Sequence, residues 1–139
     1  MPSFLWFGMR RAKRKYTTRS GFEQKVVQYL EKQKVDFGYE SVKIVFVQPE
    51  VTRKYTPDFE IKSNGLLIEA KGRFTAIDRK KMQFVKASNP DLRIVMLFQD
   101  SQKPIRKGSK TRYCDWCDKA GIEWADFRNG IPKDWLECK

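Results

Sequence analysis

The 139-residue chain carries 29 Lys and Arg against 17 Asp and Glu, a formal net charge of +12, and no histidine. Its length suits one compact domain with a real core, and the missing histidine excludes His-based acid/base catalysis and the usual His-ligated zinc sites. Such an excess of positive charge costs self-repulsion on folding; neutralising nucleic-acid phosphates is a common reason to tolerate it, with an acidic protein or an anionic membrane as the alternative partner.

Residues 1–19 read as a basic arm. Phe4-Leu5-Trp6-Phe7 is too short for a signal-peptide core or a membrane span and precedes the run holding Arg10, Arg11, Lys13, Arg14 and Lys15, so a cytoplasmic protein without a membrane partner is expected. From residue 20 onward the chain reads as one domain. Ser20 and Glu23 have capping-box spacing, and Phe22, Val26, Tyr29 and Leu30 line an apolar stripe, predicting a helix to about Lys34. Aromatic and β-branched residues over 37–47 predict one strand, closed by Gln48-Pro49. Residues 50–56 read as a polar connector, and the stretch 47–56 as an extended bridge, because Pro49 disfavours a tight return.

The run Tyr55-Thr56-Pro57-Asp58-Phe59 is followed after a ten-residue gap by Glu69-Ala70-Lys71. Between Asp58 and Glu69 lie two short apolar runs joined at Asn64-Gly65, the signature of a hairpin with a type I′ turn. Asp58 and Glu69 are then expected on neighbouring antiparallel strands, with Glu69 and Lys71 on one strand face and Ala70 on the other. Two carboxylates and a lysine at this spacing suit metal-dependent cleavage of a phosphodiester. Carboxylates with backbone and water oxygens accept Mg²⁺ or Mn²⁺, and the lysine orients the attacking water or offsets charge on the phosphate. Taken singly, Thr-Pro-Asp is a common strand entry and Glu-x-Lys a common solvated face.

Further along, Ile77, Lys81, Phe84 and Val85 predict a helix over 75–88, ended by Asn89-Pro90. Residues 92–98 form an apolar run that reads as a central strand. Ser109 is expected to cap a helix to about Lys119, with Gly121 at its C′ position. A short strand at 122–125 and a helical turn at 132–136 complete the order α, β, β-hairpin, α, β, α, β: an α/β fold with a mixed sheet flanked by helices. Cys114 and Cys117 share a helix face, and with only Cys138 beside them a four-ligand zinc site is not assembled. Arg19, Arg73, Arg79, Lys80 and Lys81 are candidate DNA contacts around the hairpin, and Arg106, Lys107, Ser109 and Lys110 a candidate phosphate site at a helix N-terminus.

Arg19-Ser20-Gly21-Phe22-Glu23, Tyr55-Thr56-Pro57-Asp58-Phe59, Glu69-Ala70-Lys71-Gly72, Lys107-Gly108-Ser109 and Ile131-Pro132-Lys133-Asp134-Trp135 together resemble the endonuclease I family of short-tailed bacteriophages. The resemblance runs in order over about residues 19–136. It implies a Holliday-junction resolvase on the restriction-endonuclease-like PD-(D/E)xK core, an intertwined homodimer acting on branched DNA in the host-cell cytoplasm. It further implies that Asp58, Glu69, the Ala70 carbonyl and Glu23 hold Mg²⁺ or Mn²⁺, two ions per active site, that Lys71 assists the attacking water, and that Glu23 reaches the partner's site. A capping-box role for Glu23 stands against the metal role, since a carboxylate folded onto the N-cap amide cannot fully serve an ion. A PD-(D/E)xK nuclease with a repair or restriction target, and a non-catalytic nucleic-acid-binding module, are the other readings of the same chain.

Overall fold

The computed structural model describes residues 17–48 and 51–137. Helix α1 (Gly21–Lys32) opens on Ser20, whose backbone is extended and whose side-chain oxygen accepts from the amide of Glu23. The single strand expected over 37–47 is two. β1 (Phe37–Tyr39) and β2 (Ile44–Gln48) are separated where Glu40 adopts a left-handed φ of 50°, and the turn it makes breaks the extended run. The expected polar connector is also strand: β3 (Val51–Tyr55) pairs antiparallel with β2 from Ile44↔Tyr55 to Gln48↔Val51. Alternation explains this ribbon, because Ile44, Phe46 and Tyr55 are buried while Val45 and Val47 face outward.

β4 (Phe59–Ile61) and β5 (Leu66–Lys71) pair antiparallel, as the sequence predicts. Their turn differs from expectation. A type I′ turn needs positive φ at both central residues, but only Gly65 has it (φ 76°), and the loop takes the four residues 62–65. Asn64 instead uses its side chain, accepting from Leu66 N–H and donating to the carbonyls of Trp135 and Glu137. The hairpin tip is thereby tied to the C-terminal segment.

Helix α2 (Ala76–Ser88) begins at a Thr75–Asp78 capping box and ends at Asn89, matching the sequence reading. β6 (Ile94–Phe98) lies parallel to β5, and β7 (Trp124–Asp126) parallel to β6. Helix α3 (Tyr113–Ala120) starts three residues later than a cap at Ser109 predicts. Residues 104 and 112 form a β-bridge, and Arg112, not Ser109, occupies the N-cap. Gly121 closes α3 in the left-handed conformation (φ 73°), as predicted. A 3₁₀ turn (Phe127–Asn129) and helix α4 (Lys133–Leu136) follow.

The architecture is thus a five-stranded mixed sheet of order β1-β4-β5-β6-β7 beside the separate β2–β3 ribbon. One sheet face packs on α1 and Trp135 through Ile68, Ala70, Val95 and Leu97. The other packs on α2, α3 and the ribbon through Leu67, Met96 and Phe98. Odd and even residues of β5 therefore enter different cores, and a chemistry-bearing side chain on this strand emerges only where it ends. Cys114 and Cys117 are buried free thiols on α3. Burial pushes the Cys117 thiol up to about 12, which suits packing rather than reactivity. Cys138 lies outside the described residues.

Candidate active site

The β4–β5 ladder runs from Ile61↔Leu66 to Phe59↔Ile68, and its next steps would set Asp58 opposite Glu69 and Pro57 opposite Ala70. Proline has no N–H to continue a ladder. The pairing stops, and the Ala70 N–H donates instead to the Asp58 carboxylate, Oδ2 at 2.9 Å. Backbone N–H and C=O of one strand residue point to the same edge, so the Ala70 carbonyl is directed to the Asp58 side as well. Its methyl is in the α1-side core. Glu69 and Lys71 share the opposite face, as period-two alternation predicts.

Asp58, Glu69 and Glu23 are 6%, 5% and 7% exposed, which is unusual for carboxylates unless paired or given a cation. The two oxygens of Glu69 have separate partners. Tyr55 donates its hydroxyl to Oε1 at 2.7 Å, and Lys71 Nζ lies 3.4 Å from Oε2. Lys71 Nζ is also 3.4 Å from Asp78 Oδ1, while Oδ2 of Asp78 accepts from Thr75 N–H and hydroxyl at the start of α2. A helix cap and a site ion pair therefore share one side chain.

Glu23 takes only half of the capping box. Its own amide is capped by Ser20, but its carboxylate does not fold back on the N-cap amide. Oε1 accepts instead from Arg19 N–H (2.9 Å) and from the Tyr39 hydroxyl (2.8 Å). The side chain is left facing Asp58 of the same chain, where the resemblance implied contact with a partner's site. Oxygens of Glu23, Glu40 and Asp58 all lie within 4.8 Å of one another, an arrangement able to hold a metal ion. Glu40 is the unexpected member. It pairs with Arg19 Nε at 2.9 Å, and its amide donates to the Asp58 carbonyl at 2.8 Å.

These carboxylates perturb one another. Burial, the Glu69 charge and the hydrogen bond with Glu23 push Asp58 up to about 9, against the Ala70 N–H, which favours its ionised form. Burial raises Glu69, with Lys71 and Tyr55 opposing. Burial disfavours the Lys71 ammonium, but Glu69, Asp78 and Asp58 outweigh it and hold the lysine above its ordinary value. Lys71 is thus a cation at neutral pH and no proton acceptor. Burial and the neighbouring Glu69 charge raise the Tyr55 phenol well above its usual range, so it stays an O–H donor.

The site opens into a cleft of about 460 Å³. Asp58, Glu69, Lys71 and Glu23 line it together with the cations Arg19, Lys54 and Lys81, the last with its ammonium 5.7 Å from the Tyr55 ring centroid. The remaining candidate DNA contacts fare unequally. Arg73, Lys80, Arg106, Lys107 and Lys110 are exposed. Arg79 is occupied structurally, its guanidinium donating to the carbonyls of Phe74 (2.7 Å) and Ile105 (3.2 Å). The expected helix-terminus phosphate site at Ser109 is not formed, because α3 starts at Tyr113 and the Ser109 hydroxyl accepts from Thr111 N–H. Arg10, Arg11, Lys13, Arg14 and Lys15 lie outside the described residues.

Sequence reasoning missed Tyr39, Glu40, Lys54 and Asp78, and quoted Tyr55 without a role. Asp78 was legible, standing three residues after Thr75 in a capping-box pattern. Glu40 carried no signal, since its placement rests on a positive-φ turn that few non-glycine residues adopt.

A family model described as phage endonuclease I matches residues 5–139. The chain is similar to Endonuclease I of Escherichia phage T7, 40% identical over 119 residues covering 86% of this chain and 78% of that protein. It is likewise similar to Endodeoxyribonuclease 1 of Enterobacteria phage T3, 44% identical over 108 residues covering 78% of this chain and 70% of that protein.

Proposed function

The chain belongs to the phage endonuclease I family, and from that membership we propose that it is a divalent-metal-dependent endodeoxyribonuclease resolving four-way and other branched DNA junctions by paired phosphodiester hydrolysis. The observation that carries the reading is the meeting of buried Asp58 and Glu69 with Lys71 in a cleft rimmed by cations. A binding module has no use for carboxylates that would repel a phosphate backbone. Read this way, the sheet and its α1, α2 and α3 cover are a restriction-endonuclease-like core.

The donor set fits Mg²⁺ or Mn²⁺, which prefer oxygen. Asp58, Glu69 and the Ala70 carbonyl would hold one ion and Asp58 with Glu23 and Glu40 a second, with no nitrogen or sulfur ligand to favour zinc. Such an ion supplies Lewis-acid polarisation of the scissile phosphate and of the attacking water. The chain's residues do the rest. Lys71, anchored between Glu69 and Asp78, sets a positive charge where the phosphate gains negative charge. Lys54, Lys81 and Arg19 draw the backbone into the cleft, helped by exposed Arg73, Lys80, Arg106, Lys107 and Lys110 and by the basic arm. No base-reading element is needed; selectivity comes from junction shape.

We also assign the active form as a homodimer intertwined through the β2–β3 ribbon. The ribbon stands outside the five-stranded sheet and turns Val45 and Val47, 52% and 56% exposed, to the outside. An opened ribbon would carry the Ile44, Phe46 and Tyr55 contacts, and the meeting of Glu23 with Asp58, over to a second copy. Two linked sites suit a junction cut on two strands, in the host-cell cytoplasm. Among the described residues no helix is long and apolar enough to cross a membrane.

The test is cleavage of a synthetic four-way junction against a linear duplex of the same arms, in Mg²⁺, Ca²⁺ and chelator. Paired nicks near the branch point that need Mg²⁺ support the assignment. Equal cutting of duplex and junction would point to a nuclease with another target, and binding without cleavage in any metal would remove the enzyme. A monomeric mass in light scattering at micromolar concentration would refute the dimer.

A further inference from the structure

Glu69 ends in a torsion that is broad and roughly two-fold, so its carboxylate has no strong rotamer preference of its own. Two contacts suppress that freedom. Lys71 holds Oε2 at 3.4 Å, and the Tyr55 hydroxyl holds Oε1 at 2.7 Å, the shorter and more directional of the two. Tyr55 is itself fixed. It is 3% exposed, ends β3 opposite Ile44, packs in the α2-side core, and has the Lys81 ammonium over its ring. It is not part of the five-stranded sheet that carries Glu69. Its hydroxyl is a hydrogen bond from the ribbon to a carboxylate of the site.

We infer that Tyr55 is a positioning residue: its hydroxyl fixes the Glu69 carboxylate in the orientation that receives the divalent cation, so that seating of the β2–β3 ribbon and assembly of the metal site are one event. The inference rests on the metal-dependent reading above. Oε1 accepts the phenol through one lone pair and keeps the other for the cation, and the chelating edge of Glu69 is held facing the cleft. Outer partners of metal-ligating carboxylates act in this way, and their loss typically costs 10–100-fold in metal affinity or activity. The ribbon proposed to join two protomers would then also report its own docking to the chemistry.

The substitution Tyr55→Phe removes one oxygen and keeps the ring, its packing and its contact with Lys81. Mn²⁺ is titrated calorimetrically into the full-length protein without DNA, and junction cleavage is followed at graded Mn²⁺. Y55F is expected to bind Mn²⁺ about 10–100-fold more weakly and to need correspondingly more metal for half-maximal cleavage. Cleavage should recover at saturating metal, with junction affinity close to wild type and the native fold retained by circular dichroism. A wild-type isotherm for Y55F overturns the inference, and so does cleavage that falls while the isotherm does not. Action through Glu69 is tested on the Glu69→Ala background, where adding Y55F should leave Mn²⁺ binding unchanged; a further loss there also overturns it. If the wild-type protein binds no Mn²⁺ and cleaves in chelator, the metal-dependent reading itself fails, an outcome distinct from all of these.

Discussion

Asp58→Asn is expected to abolish cleavage and at the same time to make the metal-free protein more stable at alkaline pH. Asp58 is 6% exposed, beside Glu69 and Glu23, and its carboxyl is raised to about 9, whereas in the unfolded chain it titrates at its ordinary 3.8. Between those values the folded chain holds a proton that the unfolded chain has released. Stability from this group is complete below the unfolded value and falls as pH rises toward the folded one. One excess proton in the folded state lowers stability by on the order of 1 kcal/mol per pH unit, hence by a few kcal/mol between pH 6 and pH 8. Asparagine still accepts the Ala70 N–H and carries no charge, so the variant should lack this part of the slope. Urea unfolding at pH 6, 7 and 8 in chelator measures it. Saturating Mg²⁺ should flatten the wild-type slope too, because the cation displaces the proton. Equal pH slopes for wild type and variant would refute the account of a proton held on buried Asp58.

Lys71→Met should lower cleavage by about 10²–10³-fold, the scale set by loss of one charge-stabilising donor, while junction affinity measured in Ca²⁺ stays near wild type. Calorimetry of Mg²⁺ binding at pH 7 in buffers of different ionisation enthalpy should reveal release of about one proton per site; none released would contradict the raised Asp58. Arg79→Ala should destabilise the fold, since two backbone carbonyls lose their donor, and Lys107→Ala should weaken junction binding with a shallower salt dependence; the reverse pattern would reassign both residues. Gly65→Ala should cost about 1 kcal/mol through its φ of 76° although nothing crowds the new methyl, leaving metal affinity unchanged.

The elements with strong local signals were legible in the sequence. Thr75 and Asn89 bounded α2, Gly121 closed α3, and the apolar run before Gln99 formed a central strand. Ser109 misled because a good capping residue was already used within its own turn, by Thr111. The segment 47–56 misled because a ribbon that packs one face on α2 has only alternate residues buried, and its polar half reads as connector. Asn64-Gly65 marked the right hairpin with the wrong turn, since Asn64 spends its side chain on the C-terminal carbonyls.

By itself the sequence determined the chemistry available: no histidine, a carboxylate pair and a lysine at strand spacing, and a cationic surface for phosphates. Those are properties of residue type and local period, and they need no distant contact. Only the tertiary structure decided which groups meet. Glu23 turned from its cap toward Asp58, Glu40 was delivered by a left-handed turn, and Tyr55 reached Glu69 from a ribbon outside the sheet. Each depends on packing between segments separated along the chain, where a few ångströms settle whether a buried carboxylate finds a donor, a cation or another carboxylate.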